Sequence, residues 1–364
     1  MSGAELAIAD MIDAHREGLH YLMLTPGEGV LADHYRTRGF EVWARELDTR
    51  RRRYPGLHTV QSVLFARRFR RRRIDAVLSN TFAAAARVKD ACRMAGIPHG
   101  IYVREYITKK KLHRKILAGA DMVLAVSQDV ASYLGDMVVP ERLQVAYDHI
   151  NARPLLDRAA AHRARGERLV PFAREHPVIG LIGRITRYKQ QDLFLRAVPH
   201  VLPSFPEARF VVVGSAGAAE KEYEAGLKLL AQELGVGDRV AFMGHRADAV
   251  EIMSELSVCC ITSDREPFPR TLLEGQLLGI PVVAADTGGC PEMVEDGVTG
   301  LLFSSVAPDA PARLAAAVSS TLAERARAAA MSARAQQLLK DGVASLSPVR
   351  KLEALLDTLG NSRN

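Results

Sequence analysis

The segment from Ile261 to Pro281, ITSDREPFPRTLLEGQLLGIP, decides the fold because it joins a strand to a helix through a polar loop. The β-branched run Val258–Thr262 leads into the loop. Pro269 suits the first turn of the following helix, where a missing N–H costs nothing, and Gly279-Ile280-Pro281 ends that helix before the next strand. Strand–loop–helix units of this kind build α/β folds with parallel sheets.

Two carboxylates flank this loop. Glu266 lies on the loop itself, and Glu274 follows eight positions later on the helix. The start of a helix has unpaired N–H groups and a partial positive charge, so it is suited to hold a phosphate. One carboxylate beside such a site can accept hydrogen bonds from ribose hydroxyls, while the other faces the group attached to the phosphates. Two glutamates alone are more often solvated surface residues, so other motifs in the chain are needed to distinguish a phosphate site from an ordinary surface.

Composition predicts a two-domain globular protein. The chain has 364 residues, which is too long for one ordinary core, with 48% hydrophobic and 25% charged residues. Residues 1–175 contain 30 Lys and Arg against 20 Asp and Glu, whereas residues 176–364 contain 19 against 22. The four cysteines have no CxxC spacing, which indicates a reduced, cytoplasmic protein without structural zinc. No apolar run reaches the ~18 residues of a membrane span, and no signal peptide is recognisable.

Short apolar runs alternate with helical patterns along both halves of the chain, as is typical of parallel sheets covered by helices on both faces. The first alternation fills residues 1–150 and starts with a helix from Ala4 to Glu17 that no strand precedes. We interpret residues 151–176 as a linker and residues 177–320 as a second domain. Residues 321–364 are predicted to form C-terminal helices that could cross back to the first domain. The prediction is an α/β protein of two doubly wound domains facing a central cleft, with ligands at the carboxyl ends of the strands.

Basic residues follow the predicted strand that starts at Val178. Gly183 lets the backbone approach a ligand, Arg184 offers a bidentate fork, and Lys189 offers a point charge to phosphate oxygens. A solvated loop is an equally open alternative for these residues alone. However, they and Glu266 all follow strands and so share one rim of a parallel sheet, which favours an anion site.

Two glycine-containing segments are weaker candidates. Gly288 and Gly289 precede a predicted helix at Glu292–Glu295 and would let a loop approach a sugar or phosphate, although a plain turn explains them as well. Ser2-Gly3-Ala4-Glu5 places a small, flexible pair at a helix start, which is a weak signal in isolation.

Several runs of basic residues occur in the first half of the chain. They are Arg50–Arg53, Arg67, Arg68, Arg70–Arg73, Lys109–Lys111, Arg114 and Lys115. Because Val63, Leu64, Phe65 and Phe69 are interleaved with them, they could lie on an anionic membrane surface, and a solvated face is the open alternative. We expect no nucleic-acid partner, since no recognised binding motif or aromatic stacking platform accompanies the charges. We also expect no metal, because no histidine spacing or Asp-x-Asp is placed to hold one.

Taken together, these motifs resemble those of the retaining glycosyltransferases of family 4, which have the GT-B fold. The resemblance is dense over residues 178–304 and looser over 1–150. It rests on Gly183-Arg184…Lys189, Glu266-Pro-Phe-Pro-Arg-Thr-Leu-Leu-Glu274, Gly279-Ile-Pro-Val-Val, Gly288-Gly289-Cys-Pro-Glu292 and Gly297-Val-Thr-Gly300-Leu-Leu, and in the first half on Ser2–Glu5, Gly96-Ile97-Pro98 and Ala120–Ser127.

The resemblance implies a metal-independent glycosyltransferase without a cofactor, which transfers a sugar from a UDP- or GDP-sugar to an acceptor hydroxyl. The acceptor would be a lipid-linked or growing glycan in cell-surface polysaccharide synthesis, such as lipopolysaccharide, capsule or exopolysaccharide. Arg184 and Lys189 would neutralise the diphosphate, Glu266 would contact the sugar, and Glu274 would bind the ribose. The other implied nucleotide-sugar contacts are Gly3, Gly183, Gly244, Arg270, Thr271 and Leu272. Acceptor or sugar contacts are expected at Arg104, Glu105, Gly288 and Gly289.

The chain departs from the family pattern in three places. Arg104 or Glu105 stands where many members have a histidine, and Pro269 replaces a glycine, which removes one amide from the phosphate site. The family's first strand would precede Ser2-Gly3, so we expect the native chain to begin upstream of Met1. Another nucleotide-sugar enzyme of the same fold, such as an epimerase or a phosphorylase, and a non-catalytic nucleotide-sugar-binding relative are the alternative functions.

Overall fold

The structure is a computed structural model that describes residues 3–13, 19–45, 55–107 and 110–342. The chain forms two compact units, of which the first extends to Asn151 and the second begins at Ala152. None of the helices in the described ranges has the length and hydropathy that crossing a membrane requires.

The first unit is built from six helices and six strands within the described ranges. The helices are α1 (Gly3–Asp13), α2 (Val30–Thr37), α3 (Pro55–Arg71), α4 (Phe82–Ala95), α5 (Lys110–Leu117) and α6 (Gln128–Leu134). The strands are β1 (Leu22–Thr25), β2 (Glu41–Ala44), β3 (Val77–Ser79), β4 (His99–Val103), β5 (Met122–Ala125) and β6 (Leu143–Val145). The expected helix at Ala4–Glu17 thus corresponds to α1, while residues 14–17 lie outside the described part.

Parallel pairing in the first unit produces two sheets, β1-β2 and β3-β4-β5-β6. Met23 of β1 and Leu78 of β3 pack with α1 and α2, whereas Leu24 and Val77 pack with α3 and α4. Successive residues of a strand point to opposite faces, so β1 and β3 each contact both helix layers. The two sheets therefore lie between the same two layers of helices.

The second unit has seven helices and six strands in the described part of the chain. The helices are α7 (Ala152–Arg165), α8 (Gln191–Val201), α9 (Lys221–Glu233), α10 (Ala249–Met253), α11 (Arg270–Leu277), α12 (Ala310–Ala323) and α13 (Arg325–Gly342). The strands are β7 (Val178–Ile182), β8 (Arg209–Val213), β9 (Val240–Gly244), β10 (Val258–Ile261), β11 (Val282–Ala285) and β12 (Leu301–Phe303). In place of the helix expected at Glu292–Glu295, a 3₁₀ turn spans Cys290–Glu292.

The sheet of the second unit has the order β12-β11-β10-β7-β8-β9, and all its strands are parallel. The chain runs outward from β7 to β9, then returns to β10 on the other side of β7. This is the strand order of doubly wound nucleotide-binding folds, in which ligands bind outside the carboxyl ends of the strands where the order reverses. The reversal lies between β7 and β10.

Helices cover this sheet on both faces, which explains why its strands are continuous apolar runs rather than alternating ones. All residues of β7, β10 and β11 are buried. The α8 side of the core contains Phe194 and Phe210 in an edge-to-face contact, with ring centroids 5.9 Å apart.

Of the segment 151–176, which the sequence indicates as a linker, residues 152–176 pack as part of the second unit. Its helix α7 contacts α10 and α11. The Nε2 atom of His162 lies 2.7 Å from Oε1 of Glu255. The Glu255 carboxylate also accepts the backbone N–H groups of Leu169 and Val170, at 2.8 and 3.3 Å. These hydrogen bonds join α7 and the chain that follows it to the end of α10. Of the residues 321–364 that were expected to form C-terminal helices, 321–342 belong to the second unit, and 343–364 lie outside the described residues.

Candidate active site

An ion pair between Lys189 and Glu266 lies where the strand order reverses. Lys189 belongs to a 3₁₀ turn after β7, and Glu266 lies in the loop after β10. The Lys189 Nζ atom is 2.6 Å from Oε1 and 2.7 Å from Oε2 of Glu266. The two side chains are only 13% and 12% exposed. The structure thus brings together one basic and one acidic residue that the sequence assigned to different motifs of one site.

Two hydroxyl groups that the sequence analysis missed hold this ion pair in place. Ser263 donates a hydrogen bond from Oγ to Oε2 of Glu266 at 2.6 Å, and Ser263 is buried. Thr262 donates from Oγ1 to the carbonyl oxygen of Lys189 at 2.7 Å. The hydrogen bond of Thr262 and the ion pair thus join the loops after β7 and β10, while that of Ser263 fixes the Glu266 carboxylate within its own loop. The sequence signal for Thr262 and Ser263 was their position, directly after a buried strand and just before Glu266.

Lys189 keeps its positive charge in this environment. Burial disfavours the ammonium and by itself lowers the pKa of Lys189, but the adjacent Glu266 carboxylate, with smaller contributions from Tyr188 and Cys290, raises the pKa above its ordinary value. A permanently charged ammonium at a nucleotide-binding crevice can stabilise a phosphate group.

The loops after β7, β8 and β9 pass very close to one another. The N–H of Gly183 donates to the carbonyl oxygen of Val213 at 2.9 Å, and the N–H of Gly214 donates to that of Gly244 at 2.8 Å. Gly214 has a φ of +145°, and a Cβ atom there would lie 1.9 Å from the carbonyl oxygen of Gly183. Only glycine fits at position 214, a requirement that the sequence analysis did not detect.

The paired glycines after β11 pack against the backbone of Glu266. Gly288 has a φ of +59°, and a Cβ atom there would lie 2.3 Å from the carbonyl oxygen of Glu266. That oxygen accepts the N–H of Gly289 at 2.8 Å. These glycines therefore support the position of Glu266, whereas their contact with a sugar stays a prediction.

Arg184 and Glu274 lie on elements that border the same crevice. Arg184 follows β7, is exposed, and forms no ion pair with the residues that the structure describes. Its carbonyl oxygen accepts from Nε2 of the buried Gln191 at 3.1 Å, which fixes the backbone there. Glu274 is half-buried on α11, the helix that follows the Glu266 loop.

The start of α11 differs slightly from the expectation. Pro269 is the N-cap residue and Arg270 the first helical residue, so the proline precedes the first turn. Leu272 is fully buried, and its N–H bonds to the carbonyl oxygen of Pro269 at 3.0 Å. Arg270 and Thr271 are half-buried. Their expected contact with a diphosphate stays a prediction.

The candidates in the first unit have other surroundings. Gly3 is the first residue of α1. Arg104 is almost fully buried and forms an ion pair with Asp148, whose Oδ1 atom also accepts from the hydroxyl of Tyr102 at 2.9 Å. Glu105, in contrast, is exposed. Of the two residues at this position, Arg104 is therefore already paired within its own unit, and Glu105 is accessible.

Comparison with protein families covers most of the chain. The family model described as "Glycosyltransferase Family 4" matches residues 1–153, and the one described as "Glycosyl transferases group 1" matches residues 168–338. The chain belongs to glycosyltransferase family 4. The sequence resemblance is thereby confirmed.

Curated relatives of this family 4 chain include D-inositol 3-phosphate glycosyltransferases. That of Corynebacterium jeikeium is 39% identical over 154 residues, which are 41% of this chain and 36% of the relative. That of Mycobacterium marinum is 31% identical over 249 residues, which are 67% of this chain and 50% of the relative. The chain thus spans half or less of the length of these two relatives.

Solved structures share the whole fold of the family 4 chain. HepE from Anabaena in complex with UDP-glucose matches with a TM-score of 0.79 and 22% identity, over 100% of this chain and 96% of that one. A glycosyltransferase from Rickettsia africae matches with a TM-score of 0.80 and 17% identity, over 98% and 94%. At these identities the likeness establishes the fold, which is GT-B as the sequence predicted.

Proposed function

We propose that this chain is a retaining, metal-independent glycosyltransferase that moves a sugar from a UDP- or GDP-sugar to an acceptor hydroxyl. The observation that carries the proposal is the buried Lys189–Glu266 pair at the crevice where the strand order reverses, with Arg184 exposed beside it. Family membership and the UDP-glucose bound to HepE, which has the same fold, support this type of sugar donor.

The hydrogen-bonding capacity of the pair suits a sugar diphosphate. An ammonium has three N–H donors, and two of those of Lys189 can serve the two oxygens of Glu266, so the third can reach a phosphate oxygen. A carboxylate has about four acceptor positions. Lys189 and Ser263 take three of them, so Glu266 can accept one sugar hydroxyl on Oε1. The pair would thus link the phosphate to the sugar.

In the proposed reaction, the acceptor oxygen attacks the anomeric carbon from the face that the diphosphate leaves. The bond from the anomeric carbon to the phosphate oxygen breaks as the bond to the acceptor oxygen forms, and the leaving phosphate takes the acceptor proton. Negative charge grows on the diphosphate, where Arg184, Lys189 and the N-terminus of α11 stabilise it. Glu266 orients the sugar, and Glu274 binds the ribose hydroxyls.

The test is acceptor-dependent release of nucleoside diphosphate by the full chain, measured with a panel of UDP- and GDP-sugars in excess EDTA. We expect release with at least one sugar donor and a product that keeps the anomeric configuration. Loss of activity in EDTA with recovery on adding Mg²⁺ or Mn²⁺ would contradict the metal-independent mechanism. Failure of every sugar nucleotide to bind would contradict the function itself.

For the acceptor, the proposal is a lipid-linked or growing cell-surface glycan, in a cytoplasmic enzyme that is peripheral at the inner face of the membrane. The basic excess of residues 1–175 supports this, since such acceptors carry phosphates and stand at anionic surfaces. The curated relatives are named for inositol 3-phosphate, so a small phosphorylated polyol is the second candidate. Comparing transfer to both acceptor classes distinguishes them.

A further inference from the structure

Helix α3 carries apolar side chains on two opposite faces, and the core uses only one of them. Phe65, Ala66 and Phe69 are buried against β1, β2 and α4. On the outer side, Val60, Val63 and Leu64 are 56%, 36% and 51% exposed. Single exposed apolar residues are ordinary, but three neighbours on one helix face suggest a contact surface.

The outer face continues into two arginines, Arg67 and Arg71. Val60, Leu64, Arg67 and Arg71 follow one another at three- and four-residue spacing, so they form one stripe along α3. Residues 55–73 contain six arginines and no Asp or Glu. Within the ranges that the structure covers, neither Arg67 nor Arg71 forms an ion pair with a carboxylate. We call Val60, Val63, Leu64, Arg67 and Arg71 the α3 stripe.

Three of the other four arginines in residues 55–73 have structural partners. Arg68 lies over the ring of Trp43, 3.8 Å from its centroid. Arg72 pairs with Glu41, and Arg70 donates to a backbone carbonyl at the end of α4. These contacts attach α3 to the rest of the unit. Among the residues that the structure describes, Arg67 and Arg71 of the α3 stripe and Arg73 just after the helix are exposed and form no ion pair.

The structure also changes which apolar residues such a surface would use. By sequence alone, Phe65 and Phe69 are expected on this surface together with Val63 and Leu64. Both phenylalanines instead pack on Trp43, with ring centroids 5.3 and 6.4 Å apart. The outward apolar residues are therefore aliphatic, and the aromatic rings of α3 face the core.

This distribution favours a membrane over a nucleic acid. Single-stranded nucleic acids are bound by aromatic rings on which bases stack, and the described side chains of α3, from Thr59 to Arg71, present none outward. Aliphatic side chains beside arginines suit the boundary between lipid headgroups and acyl chains, where the guanidinium groups bind phosphates. We propose that the α3 stripe docks the chain on an anionic lipid membrane, with Val60, Val63 and Leu64 inserted and Arg67 and Arg71 on lipid phosphates.

The experiment is co-sedimentation of the full chain with phosphatidylcholine vesicles that contain either no phosphatidylglycerol or about one-third of it. We expect binding to the anionic vesicles only, weakened by salt. At about 1 kcal/mol for each cation near such a surface, Arg67→Gln/Arg71→Gln lowers the partition constant about thirtyfold. Val60→Ser/Leu64→Ser lowers it about tenfold without changing the charge.

The matched control is Arg72→Gln/Arg93→Gln. It removes the same charge, but these arginines pair with Glu41 and Asp90. We expect a smaller loss than in Arg67→Gln/Arg71→Gln, because the ion pairs with Glu41 and Asp90 keep these guanidinium groups from binding lipid phosphates directly. Unaltered thermal midpoints show that the variants fold. The membrane setting of this inference rests on the proposed function. Unaltered nucleotide-sugar binding by the variants would show that a loss of vesicle binding concerns the α3 stripe and not the sugar-donor site.

Three results would overturn the proposal. The first is equal binding to neutral and anionic vesicles. The second is wild-type partitioning of both stripe variants, or equal losses in the stripe and control variants. The third is tighter binding to a single-stranded oligonucleotide than to vesicles, abolished by Arg67→Gln/Arg71→Gln, which would assign the stripe to nucleic acid.

Discussion

Removing the charge of Lys189 should destabilise the second unit while leaving the first unit unaffected. Lys189→Met keeps most of the side-chain volume but leaves the Glu266 carboxylate, which is only 12% exposed, without its counterion. Breaking a buried ion pair from one side costs about 3–5 kcal/mol. Because both groups are slightly exposed and Ser263 still donates to Glu266, we expect about 2–4 kcal/mol.

The unfolding of the two units can be followed separately in urea. The single tryptophan, Trp43, packs on Phe65 and Phe69 in the first unit, so its fluorescence reports that unit alone. Far-ultraviolet circular dichroism reports both units. With a slope of about 2 kcal/mol per molar urea, Lys189→Met should lower the midpoint of the second-unit transition by about 1–2 M. The Trp43 transition serves as the internal control and should not move.

A second variant decides whether the loss comes from the unpaired carboxylate. Lys189→Met/Glu266→Gln removes both charges and should recover at least half of the stability lost in the single variant, because no buried charge remains. An unshifted transition in Lys189→Met would refute the reasoning. Equally, a double variant that loses as much as the two single variants together would show that the pair contributes no coupling.

Four further predictions concern single residues. Ser263→Ala removes the hydroxyl that orients the carboxylate of the pair, so kcat should fall about tenfold with KM nearly unchanged, and stability should fall by about 1 kcal/mol. Gly214→Ala should cost at least about 3 kcal/mol in urea unfolding, because its Cβ would lie 1.9 Å from a backbone oxygen. Gln190 adopts a left-handed conformation with a φ of 49°, so Gln190→Gly should stabilise the second unit by about 1 kcal/mol. Burial lowers the pKa of His99 to about 4, so folding should lose up to about 3 kcal/mol in the first unit between pH 6.5 and 4, seen by Trp43 fluorescence.

The sign of the pH effect follows from proton binding. Below pH 6.5 the unfolded chain protonates its histidine, while buried His99 in the folded chain stays neutral until about pH 4. The unfolded state therefore gains stability over this interval as the pH falls. His99→Gln should flatten the decline, and an unchanged slope would contradict the assignment.

Matched controls exist for two of the substitutions. Gly217 has nothing within 4 Å of its Cβ position, so Gly217→Ala should be nearly neutral where Gly214→Ala is not. Ser254 donates to the carbonyl oxygen of Glu251 and lies before β10, whereas the ion pair follows the carboxyl end of that strand, so Ser254→Ala should leave kcat unchanged. Equal effects within either pair of variants would contradict the roles assigned to Gly214 and Ser263.

Much of the fold was predictable because a strand that is buried on both faces of a parallel sheet consists of a short apolar run, which can be recognised in the sequence. Strands such as β7 and β10 are short apolar runs, and each is followed by the polar residues of its carboxyl end. This made it possible to expect Lys189 and Glu266 at one rim. Helix boundaries were less predictable, since the capping at Pro269 depends on the path of the preceding loop.

The segment 151–176 shows that amino-acid composition alone does not predict which residues pack against a domain. Its many charged residues resemble those of a linker, but His162 meets Glu255, which lies 93 positions further along the chain. The apolar faces of α3 show a similar limit. Val60 and Leu64 are as apolar as Phe65 and Phe69, and the packing of α3 on β1, Trp43 of β2 and α4 decides which pair is buried.

The sequence by itself determined the alternation of strands and helices, the family, and the charged residues at the carboxyl ends of the strands, because each of these depends on neighbours in the chain. Only the tertiary structure decided that Lys189 and Glu266 form a buried pair, that Ser263 orients it, and that position 214 admits only glycine. Those features depend on atoms brought together from different strands, and their distances are set by the strand order and packing of the second unit.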